Sequence, residues 1–479
     1  MRVLFVASEA APFIKSGGLG DVAGALPKEL AQKGEDVRVV IPKYKEINYE
    51  VRDKLRFNKW FTVRVGWREE YCGVFECIYN GVTYYVLDNE KYFNRDGLYG
   101  FYDDAERFAF FDRAVLDMLK EIDWQPDLIH CNDWQTGMIP VLLKLQYKRN
   151  DMFYWNMKSV YSIHNIAFQG IFDPQILPEL FGFDMELYDN TCLKFDDGVS
   201  FMKGGLYYSD IITTVSNSYA NEIQTPEYGQ RLDGVLREKS YALRGIINGI
   251  DYDEFNPKTD KFIKNNYDIN SIENKSINKT ELQKELGLTV DENIPMIAMV
   301  TRLTQQKGLD LLVNISDILL QQNVQLVVLG NGDKHYEDHF KWLDYRYGNK
   351  VSTNIKFDHV LANKIYAACD MFLMPSLFEP CGLGQLIALR YGSIPIVRET
   401  GGLKDTVTAY NEFTGEGNGF SFTNYNSDDL YNVIQYALGI YKNKKEWSNL
   451  VNQAMNCDNS WNKSAEIYLN MYRELTGQD

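Results

Sequence analysis

Two short segments of the chain place positive charge beside glycine or at a predicted turn between a strand and a helix. Lys15 is followed by Gly17 and Gly18, while Arg302 and Lys307 lie five residues apart after an apolar run. Glycine lets a backbone approach a phosphate, amides at a helix start favour anions, and two cations can stabilise a departing diphosphate. Taken singly, a glycine pair can be a plain turn, and Lys and Arg are usually solvated surface residues. Together they favour a phosphate-binding site.

A carboxylate, Glu379, lies in a third segment of this kind, again between a predicted strand and a predicted helix. The segment reads Ser376-Leu377-Phe378-Glu379-Pro380-Cys381-Gly382-Leu383-Gly384, and Thr400-Gly401-Gly402-Leu403 follows the next predicted strand. The carboxylate could accept hydrogen bonds from sugar or ribose hydroxyls while nearby amides meet phosphate. It could also serve only to stabilise the helix dipole.

Two of the five histidines follow neighbouring predicted strands in the first half of the chain. His130 opens His130-Cys131-Asn132-Asp133-Trp134, and His164 closes the run Ser162-Ile163-His164 before Asn165. A single buried histidine is more often a satisfied core residue than a catalytic one. Two of them at adjacent strand ends favour a site there, because ligands of open α/β sheets bind beyond the carboxyl ends of the strands.

The elements that must position these residues alternate between short apolar runs and amphipathic stretches. Predicted strands cover 3–7, 37–41, 128–129, 160–163, 211–215 and 245–247, then 296–300, 324–329, 355–357, 371–374 and 394–397. Predicted helices cover 21–33, 309–320, 336–345, 363–369, 383–391, 428–441 and 464–475. Such alternation is typical of parallel βαβ units. Asn80-Gly81 between two alternating runs at 71–87 predicts an antiparallel hairpin.

The alternation of predicted strands and helices is interrupted between about residues 248 and 293. Within that stretch, 257–279 is rich in Asn, Lys, Asp and Ser. We interpret that stretch as a linker with a polar surface excursion. The fold class is therefore α/β, with two doubly wound Rossmann-like domains facing across a cleft. The predicted domains are 1–245 and 246–459, with a last helix at about 460–479.

Composition excludes several classes of protein. The net charge is −16, from 66 acidic and 50 basic side chains, which disfavours binding to nucleic acid or anionic membranes. Seven scattered cysteines do not form a CxxC pair, so a zinc or disulfide framework is not expected. The short apolar start lacks the features of a signal peptide, and no stretch is long enough to cross a membrane. We expect a cytoplasmic protein.

Taken together and in order, these segments resemble one family. The matching motifs are KSGGLGDV, HCNDW, SIHNIAFQG, TVSNSYANEI, INGID, RLTQQKG, LFEPCGLGQ and RETGGLKDTV. They are similar to those of bacterial glycogen synthases and plant starch synthases over nearly the whole chain. The resemblance implies the GT-B glycosyltransferase architecture, in which the last helix, at about 460–479, crosses back to pack on the first domain, 1–245. It also implies transfer of glucose from ADP-glucose to the non-reducing end of an α-1,4-glucan such as glycogen, with retention of configuration and release of ADP.

The resemblance also implies roles for particular residues. The implied catalytic residues are His164, Glu379, Arg302, Lys307 and Asp133. The implied donor-binding residues are Lys15, Gly17, Gly18, Asn248, Phe357, Cys381, Gly382, Leu383, Thr400 and Gly401. Among them, Arg302 and Lys307 resemble the diphosphate clamp, and Phe357 falls where the family places an aromatic ring on adenine. Asp133 and His164 resemble groups around the transferred glucose, which Glu379 orients.

Two departures from the family pattern bear on mechanism. Ser16 replaces the usual threonine, a small change, and Ile387 lies where many related retaining transferases carry a second glutamate eight residues after the first. No paired carboxylates of a retaining glycosidase are apparent, so we expect a same-face displacement assisted by the leaving diphosphate. No cofactor is expected, and no metal, since the one acidic pair with Asp-x-Asp spacing, Asp251 and Asp253, falls in a predicted turn.

Two alternatives remain at this point. One is another enzyme of the same architecture, such as a nucleotide-sugar epimerase or a transferase to a small acceptor, which glucan-dependent product growth would distinguish. The other is a non-catalytic glucan-binding or regulatory protein that has kept the fold. The presence of Lys15, Arg302, Lys307 and Glu379 together argues against it, because a binding protein need not keep a diphosphate clamp.

Overall fold

The computed structural model describes residues 1–189 and 192–478, which form two compact units. Unit 1 comprises Met1–Asn248 together with Trp461–Asp479, and unit 2 comprises Gly249–Ser460. Each unit is built around its own mainly parallel sheet with helices packed on it. The predicted alternation of strand and helix is thus confirmed in both halves of the chain, and each sheet presents a carboxyl edge where functional loops can gather.

Unit 1 contains the larger sheet. Its strands and those of a small accessory sheet are β1 Arg2–Val6, β2 Asp36–Pro42, β3 Arg56–Val65, β4 Arg68–Tyr79, β5 Val82–Asp88, β6 Leu128–Asn132, β7 Lys158–Ile163, β8 Ile171–Phe172, β9 Lys194–Phe195, β10 Gly198–Ser200, β11 Ile211–Thr214 and β12 Leu243–Gly245. The strand order is β12-β11-β7-β6-β1-β2-β5-β4-β3, with β8-β10-β9 forming the accessory sheet. All pairs from β12 to β5 are parallel, and β5-β4-β3 is an antiparallel meander.

The helices of unit 1 cover the faces of this sheet. They are α1 Gly18–Gln32, α2 Tyr49–Arg52, α3 Glu90–Phe93, α4 Asp104–Glu121, α5 Met138–Leu142, α6 Lys148–Asn150, α7 Glu186–Asp189, α8 Phe201–Tyr208, α9 Asn217–Glu222, α10 Asp233–Glu238 and, at the end of the chain, α19 Trp461–Thr476. Apolar strand residues such as Val3, Leu4, Phe5 and Ile129 have no exposed surface, as expected for a sheet covered on both faces.

His130 is a core residue of unit 1 and ties the last helix to the sheet. Its Nδ1 lies 2.5 Å from the Tyr472 hydroxyl on α19, and its Nε2 lies 2.5 Å from the Ser162 hydroxyl on β7. The ring also packs edge-on against Phe5. Because the imidazole is buried, its pKa is lowered to about 3, so the ring is neutral at physiological pH. The core interpretation therefore holds for this histidine.

This burial has a consequence for stability. Unfolded histidine has a pKa of about 6.5, so below that pH the unfolded chain takes up a proton that folded His130 does not bind until about pH 3. Folding is stabilised above pH 6.5, and that contribution is lost as the pH falls towards 3. We expect the melting temperature of the chain to fall more steeply over this window than that of a His130→Gln variant. Parallel curves would contradict the assignment.

Unit 2 carries the second sheet. Its strands are β13 Met296–Val300, β14 Gln325–Leu329, β15 Val351–Asn354, β16 Met371–Met374, β17 Ile394–Arg398 and β18 Phe420–Phe422, in the all-parallel order β15-β14-β13-β16-β17-β18. Its helices are α11 Lys275–Glu285, α12 Leu309–Leu320, α13 Lys334–Tyr347, α14 His359–Ala368, α15 Gly384–Arg390, α16 Gly401–Thr406, α17 Ser427–Lys442 and α18 Lys444–Met455. The order reverses direction at β13 and β16, which is the switch point where doubly wound sheets bind ligands.

The predicted hairpin is confirmed. β4 and β5 pair antiparallel, and the two residues between them, Asn80 and Gly81, have φ angles of 49° and 79°. Two successive positive φ angles suit the right-handed twist of the flanking strands. Sequence analysis did not predict β3, which pairs with β4 along its whole length through a turn at Gly66 and Trp67.

Two predictions for unit 2 were wrong. The strand predicted at 355–357 lies upstream at β15, so Phe357 is in the loop that follows. The stretch 257–279 is not a polar surface excursion, because Asp260 and Lys279 are buried and α11 begins within it. Their polar groups are satisfied internally: Asp260 accepts hydrogen bonds from Tyr391 and Asn363, and Lys279 pairs with Asp370 at 2.6 Å.

In unit 1, the strand predicted at 245–247 was placed two residues too late, since β12 is Leu243–Gly245.

Candidate functional site

Three neighbouring strands of unit 1 end in polar loops. β1, β6 and β7 are adjacent and parallel, and their carboxyl ends are followed respectively by the segment around Lys15, by Asp133 and by His164. Because parallel strands share a carboxyl edge, the order of the sheet brings these three segments to the same edge. The expectation that the two histidine-bearing strands are neighbours is confirmed.

Glu9 organises the loop after β1, and sequence analysis missed it. Its side chain is buried, and its carboxylate accepts hydrogen bonds from the Ser16 amide at 2.6 Å, the Ser16 hydroxyl at 2.7 Å and the Gly20 amide at 3.2 Å. Burial raises the pKa of the Glu9 carboxyl, while these hydrogen bonds oppose the shift. The only signal in the sequence was an acidic residue shortly after an apolar strand.

The loop that Glu9 holds contains Lys15, Gly17 and Gly18. The Lys15 ammonium pairs with Asp21 in the first turn of α1 at 2.7 Å. A Cβ at Gly20 would lie 2.4 Å from that of Lys15, so close packing requires glycine there. At Gly18 a Cβ would meet no atom within 4 Å, and at Gly17 it would meet only Glu9 Oε1 at 4.0 Å. Packing within the chain therefore does not require those two glycines.

Asp133 follows β6 in a strained backbone conformation. Its φ angle is +56°, which non-glycine residues rarely adopt and which costs roughly 1–3 kcal/mol. The carboxylate accepts a hydrogen bond from the His164 amide at 2.8 Å and another from the Asn165 amide. Burial is the largest influence on this group and raises the pKa of Asp133 to about 7. The carboxylate thus fixes the start of the loop after β7.

The tautomer of His164 follows from its neighbour Asn132. The Asn132 amide nitrogen donates to the backbone carbonyl oxygens of Val6 and His130, which fixes the orientation of the side chain. Its carbonyl oxygen then faces His164 Nε2 at 2.8 Å, so that nitrogen must carry the proton. Burial lowers the pKa of His164 to about 4. The ring is therefore neutral at pH 7, with Nδ1 as a hydrogen-bond acceptor.

Asn248 is the last residue of the first segment of unit 1 and is also buried. It is 5% exposed, and its side-chain carbonyl oxygen has no hydrogen-bond partner among the described residues. A buried polar group without a partner costs about 1–3 kcal/mol. Such a group is expected where a ligand or a water completes the bonding.

In unit 2, three further loops gather at the carboxyl edge of neighbouring strands. Arg302 and Lys307 follow β13, Glu379 follows β16, and Thr400 follows β17. The first two loops are joined by a hydrogen bond from the Leu377 amide to the Gln306 carbonyl oxygen at 2.9 Å. The structure therefore brings the second and third predicted segments together.

Lys307 and Glu379 form a largely buried ion pair at the centre of this edge. Lys307 Nζ lies 2.6 Å from Glu379 Oε2, and the two side chains are 14% and 8% exposed. The Ser376 hydroxyl donates to the same carboxylate oxygen at 3.0 Å. Since both donors reach Oε2, the other oxygen, Oε1, is not engaged by either of them. The helix-cap interpretation of Glu379 does not account for this pair.

Arg302 lies beside this pair in sequence but is not part of it. Its side chain is exposed, and it makes no ion pair or hydrogen bond with the described side chains or backbone. The loop that carries it is nevertheless fixed at its far end. A Cβ at Gly308, whose φ angle is +68°, would lie 1.9 Å from the Pro375 carbonyl oxygen. The exposed guanidinium is thus available to an anion on a well-anchored loop.

The loop after β17 closes on the backbone of Glu379. The Gly402 amide donates to the Glu379 carbonyl oxygen at 3.1 Å, and Thr400 is buried. Gly401 has a φ angle of +46°, and a Cβ there would lie 1.9 Å from the same carbonyl oxygen. The neighbouring Cys381, Gly382 and Leu383 lead into α15, with Cys381 and Gly382 buried. Glycine at 401 is therefore needed to hold the Glu379 loop.

We expect Gly401→Ala to lower transfer activity by about two orders of magnitude. The added methyl group must push the Glu379 carbonyl aside, and this shift also displaces the Glu379 carboxylate from its position in the site. Gly439→Ala is the matched control, because Gly439 lies within α17 and a Cβ there would meet no atom within 4 Å. Steady-state rates of the two purified variants check the prediction. Equal activity of both would show that the Glu379 loop tolerates displacement.

Two remaining positions lie apart from this cluster. Phe357 is 83% exposed in the loop between β15 and α14. Ile387, at the position of the second glutamate of related transferases, is buried in α15. Its apolar side chain packs in the core of unit 2, so Glu379 is the acidic member of that motif.

Comparison with known proteins places these two sites in a family. The family model "Starch synthase catalytic domain" matches residues 2–238, and "Glycosyl transferases group 1" matches residues 278–453. The chain is 85% identical to a glycogen synthase of Clostridium beijerinckii over 100% of both chains. It is 76% identical to one of Clostridium botulinum, covering 99% of this chain and 100% of the relative.

The chain belongs to the glycogen synthase family. The catalytic domain of starch synthase IV from Arabidopsis thaliana, solved with ADP and acarbose, superposes with a TM-score of 0.92 at 33% identity, covering 99% of each chain. Sucrose-phosphate synthase from Thermosynechococcus elongatus shares the fold, with a TM-score of 0.61 at 17% identity over 99% of each chain. The predicted family and GT-B architecture are confirmed, and glycogen synthase family members are glycosyltransferases.

Metal-binding clusters and membrane-spanning helices are two features that the described residues lack. Within residues 1–189 and 192–478, no group of three or more His, Cys, Asp or Glu side chains is placed to hold a metal ion. Among the helices in the described part of the chain, none is long and apolar enough to span a membrane.

Proposed function

We propose that the chain transfers glucose from ADP-glucose to the non-reducing end of an α-1,4-glucan, retaining the α configuration and releasing ADP. The observation that carries this proposal is the Lys307–Glu379 ion pair, whose two residues lie on loops joined by a hydrogen bond. The pair places a cation that can bind a diphosphate beside a carboxylate that can accept hydrogen bonds from sugar hydroxyls. In this proposal unit 2, Gly249–Ser460, holds the donor, and unit 1, Met1–Asn248 with Trp461–Asp479, receives the glucan. The reaction would take place in the cytoplasm.

Arg302 and Lys307 stabilise the negative charge that develops on the departing diphosphate. Lys307 also fixes the orientation of Glu379 through Oε2, leaving Oε1 to accept hydrogen bonds from hydroxyls of the transferred glucose. Arginine can bind phosphate oxygens with two parallel donors, which suits the exposed Arg302 guanidinium. Cys381, Gly382, Leu383, Thr400 and Gly401 line the donor, and Phe357 stacks on adenine.

His164 and Asp133 act on the transferred glucose in the proposed site. His164 is a neutral ring with a defined tautomer, so its Nδ1 can accept a hydrogen bond from a sugar hydroxyl. Asp133 fixes the His164 backbone, and its carboxylate accepts from two amides, which makes it a poor nucleophile. Asn248 supplies its unpaired carbonyl oxygen to a further hydroxyl.

Retention without an enzyme nucleophile requires a displacement on one face of the sugar. The bond from the anomeric carbon to the β-phosphate oxygen breaks, and a bond to the acceptor hydroxyl oxygen forms on the same side. The proton of that hydroxyl passes to the departing phosphate oxygen, so no side chain needs to act as general base. The protein supplies position and charge stabilisation.

Lys15 contributes a contact to the donor phosphates from a loop that Glu9 holds rigid. Because Gly17 and Gly18 are not required by packing, their presence favours close approach of a ligand. We expect Lys15→Ala to reduce turnover with ADP-glucose by well over tenfold without loss of folding. Lys120→Ala serves as a control, because Lys120 also forms an exposed ion pair in unit 1, with Asp151 at 2.6 Å. An unchanged rate and KM for ADP-glucose would remove Lys15 from the site.

Incubation of the purified chain with labelled ADP-glucose or UDP-glucose and glycogen tests the proposed function. We expect label in the polymer from ADP-glucose, released as maltose by an enzyme that cleaves α-1,4 bonds from non-reducing ends. Label appearing in a small acceptor or an isomerised sugar nucleotide, and not in glycogen, would support the alternative enzymes. Binding of glycogen without any transfer would indicate a non-catalytic protein.

A further inference from the structure

Two aromatic side chains stack on the surface of unit 1, outside the residues assigned to the reaction. Trp60 on β3 is 60% exposed and Tyr71 on β4 is 45% exposed. Their ring centroids are 6.1 Å apart, and the ring planes are inclined by 29°. Large aromatic side chains are usually buried, and contiguous exposed ones mark interaction sites. We call this pair, with Gly73 beneath it, the Trp60–Tyr71 platform.

Gly73 makes the platform possible. In the register of the hairpin, Gly73 lies opposite Trp60, so both positions face the same side of the sheet. A Cβ at Gly73 would lie 2.5 Å from the Tyr71 hydroxyl oxygen and 3.1 Å from the adjacent ring carbon. The Tyr71 ring therefore lies flat over the glycine, beside Trp60. Glycine weakens the strand that contains it. A glycine at position 73 therefore lowers the stability of β4 and leaves room for the Tyr71 ring.

The platform does not contribute to the core of unit 1. The opposite face of the same two strands carries Phe61, Val63, Cys72 and Val74, all of them buried. Because side chains alternate along a strand, Trp60 and Tyr71 point away from those residues. Stability of the hairpin therefore does not explain why two rings are kept in the solvent.

The surroundings of the platform indicate a neutral, hydroxylated ligand. Lys43 pairs with Asp88, the cross-strand partner of Gly73, Arg64 pairs with Glu69, and Glu90 is a further acidic group that acts on Tyr71, so no cluster of positive charge lies there. Nucleic acid would need a basic stripe, and the chain has a net charge of −16. The apolar C–H face of a glucose ring can pack on the electron-rich face of Trp60 or Tyr71. Its hydroxyls can reach the exposed Thr62 and the Tyr71 hydroxyl.

Strand pairing with another protein is the main alternative use of this surface, because β3 is an edge strand. The register of β3 shifts between Phe57 and Lys59, and charged side chains such as Arg56 and Arg64 lie along it. Bulges and edge charges are the usual means of blocking strand addition. A sugar polymer that stacks on the face of the hairpin does not need the edge.

We propose that the Trp60–Tyr71 platform binds α-1,4-glucan away from the site of transfer. This rests on the proposed function, because a glucan acceptor offers many equivalent sugar units to neighbouring rings. Holding one part of the polymer on unit 1 raises the local concentration of its chain ends. The platform thus favours large, branched acceptors over short oligosaccharides.

Retardation in native gels containing glycogen, together with KM for glycogen and for maltotriose, tests the proposal. We expect Trp60→Ala and Tyr71→Ala each to weaken retardation and raise KM for glycogen about fivefold or more, leaving kcat and KM for maltotriose unchanged. Tyr71→Phe should keep binding, because the ring and not the hydroxyl does most of the stacking. Trp155→Ala is the matched control, since Trp155 is 58% exposed in the same unit.

Each outcome bears on the proposal. Unchanged retardation and KM for glycogen in both alanine variants would overturn it, as would an equal effect of Trp155→Ala. A change in oligomeric state of Trp60→Ala, measured by light scattering, with unchanged glycogen binding would assign the surface to a second copy of the chain. Gel retardation needs no catalysis, so it remains informative even if the unaltered chain transfers no glucose and the proposed function fails.

Discussion

An Arg302→Ala, Lys307→Ala double variant is expected to transfer glucose at least about 10³-fold more slowly than the unaltered chain. Each cation is proposed to stabilise charge on the leaving diphosphate, and loss of one such group typically costs about 10²–10³ in kcat. Lys307 has a second effect, because without it the buried Glu379 carboxylate keeps, among the described residues, the Ser376 hydroxyl as its one donor. The loss should therefore appear in kcat, and added Mg²⁺ should not restore it.

Two further variants separate charge stabilisation from damage to the fold. Arg302→Ala alone removes an exposed side chain with no partner in unit 2, so it should fold normally and still lose about 10²-fold in kcat. Lys334→Ala, Lys341→Ala is the control, because both lysines form exposed ion pairs on α13. If the Arg302→Ala, Lys307→Ala variant keeps more than about a tenth of the activity, these two residues do not stabilise the leaving diphosphate.

The second large effect is expected from His164→Ala, which should lower kcat more than it raises KM for ADP-glucose. A side chain placed at the reacting sugar acts mainly in the transition state, where its loss falls on kcat. Removing the ring also frees the Asn132 carbonyl oxygen, which has His164 Nε2 as its partner. We expect about 10²-fold or more, measured under saturating donor and glycogen.

His335→Ala, which alters an exposed histidine of unit 2, is the control for this prediction. The pH profile offers a second readout. Because burial lowers the pKa of His164 in the ligand-free chain to about 4, its protonation should limit kcat/KM near pH 4 and not near 6.5. A variant that loses stability but keeps normal activity per folded molecule would make His164 a core residue like His130.

Much of the fold could be predicted because strand and helix periodicity is local. Strands such as β13 and β16 lie where the apolar runs place them, and the Asn80-Gly81 turn fixes its hairpin through backbone conformation alone. The position of polar residues after these strands was equally visible. Parallel strands have their carboxyl ends at the same edge of a sheet. The polar segments that follow the predicted strands were therefore expected to gather at that edge.

What could not be predicted depends on contacts distant in sequence. α11 has a polar sequence, and Lys279 is stabilised in the core by Asp370 at 2.6 Å together with the Glu292 carbonyl oxygen and the Tyr441 hydroxyl. Glu9 has no distinctive neighbours, and its role depends on a loop that folds back over it. Phe357 was placed in a strand because it alternates with the apolar Ile355, whereas β15 ends before both residues. Burial of polar groups is decided by partners that a local pattern does not contain.

Transfer from ADP-glucose into glycogen after exhaustive treatment with EDTA tests the central claim most directly. The claim is that this chain is a glycosyltransferase in which Arg302 and Lys307 supply the positive charge that a metal ion supplies elsewhere. Asp251 and Asp253 have the spacing of a metal motif, but they begin a turn after Asn248. We predict the same rate of label incorporation before and after treatment. Loss of incorporation that Mg²⁺ or Mn²⁺ restores would contradict the account.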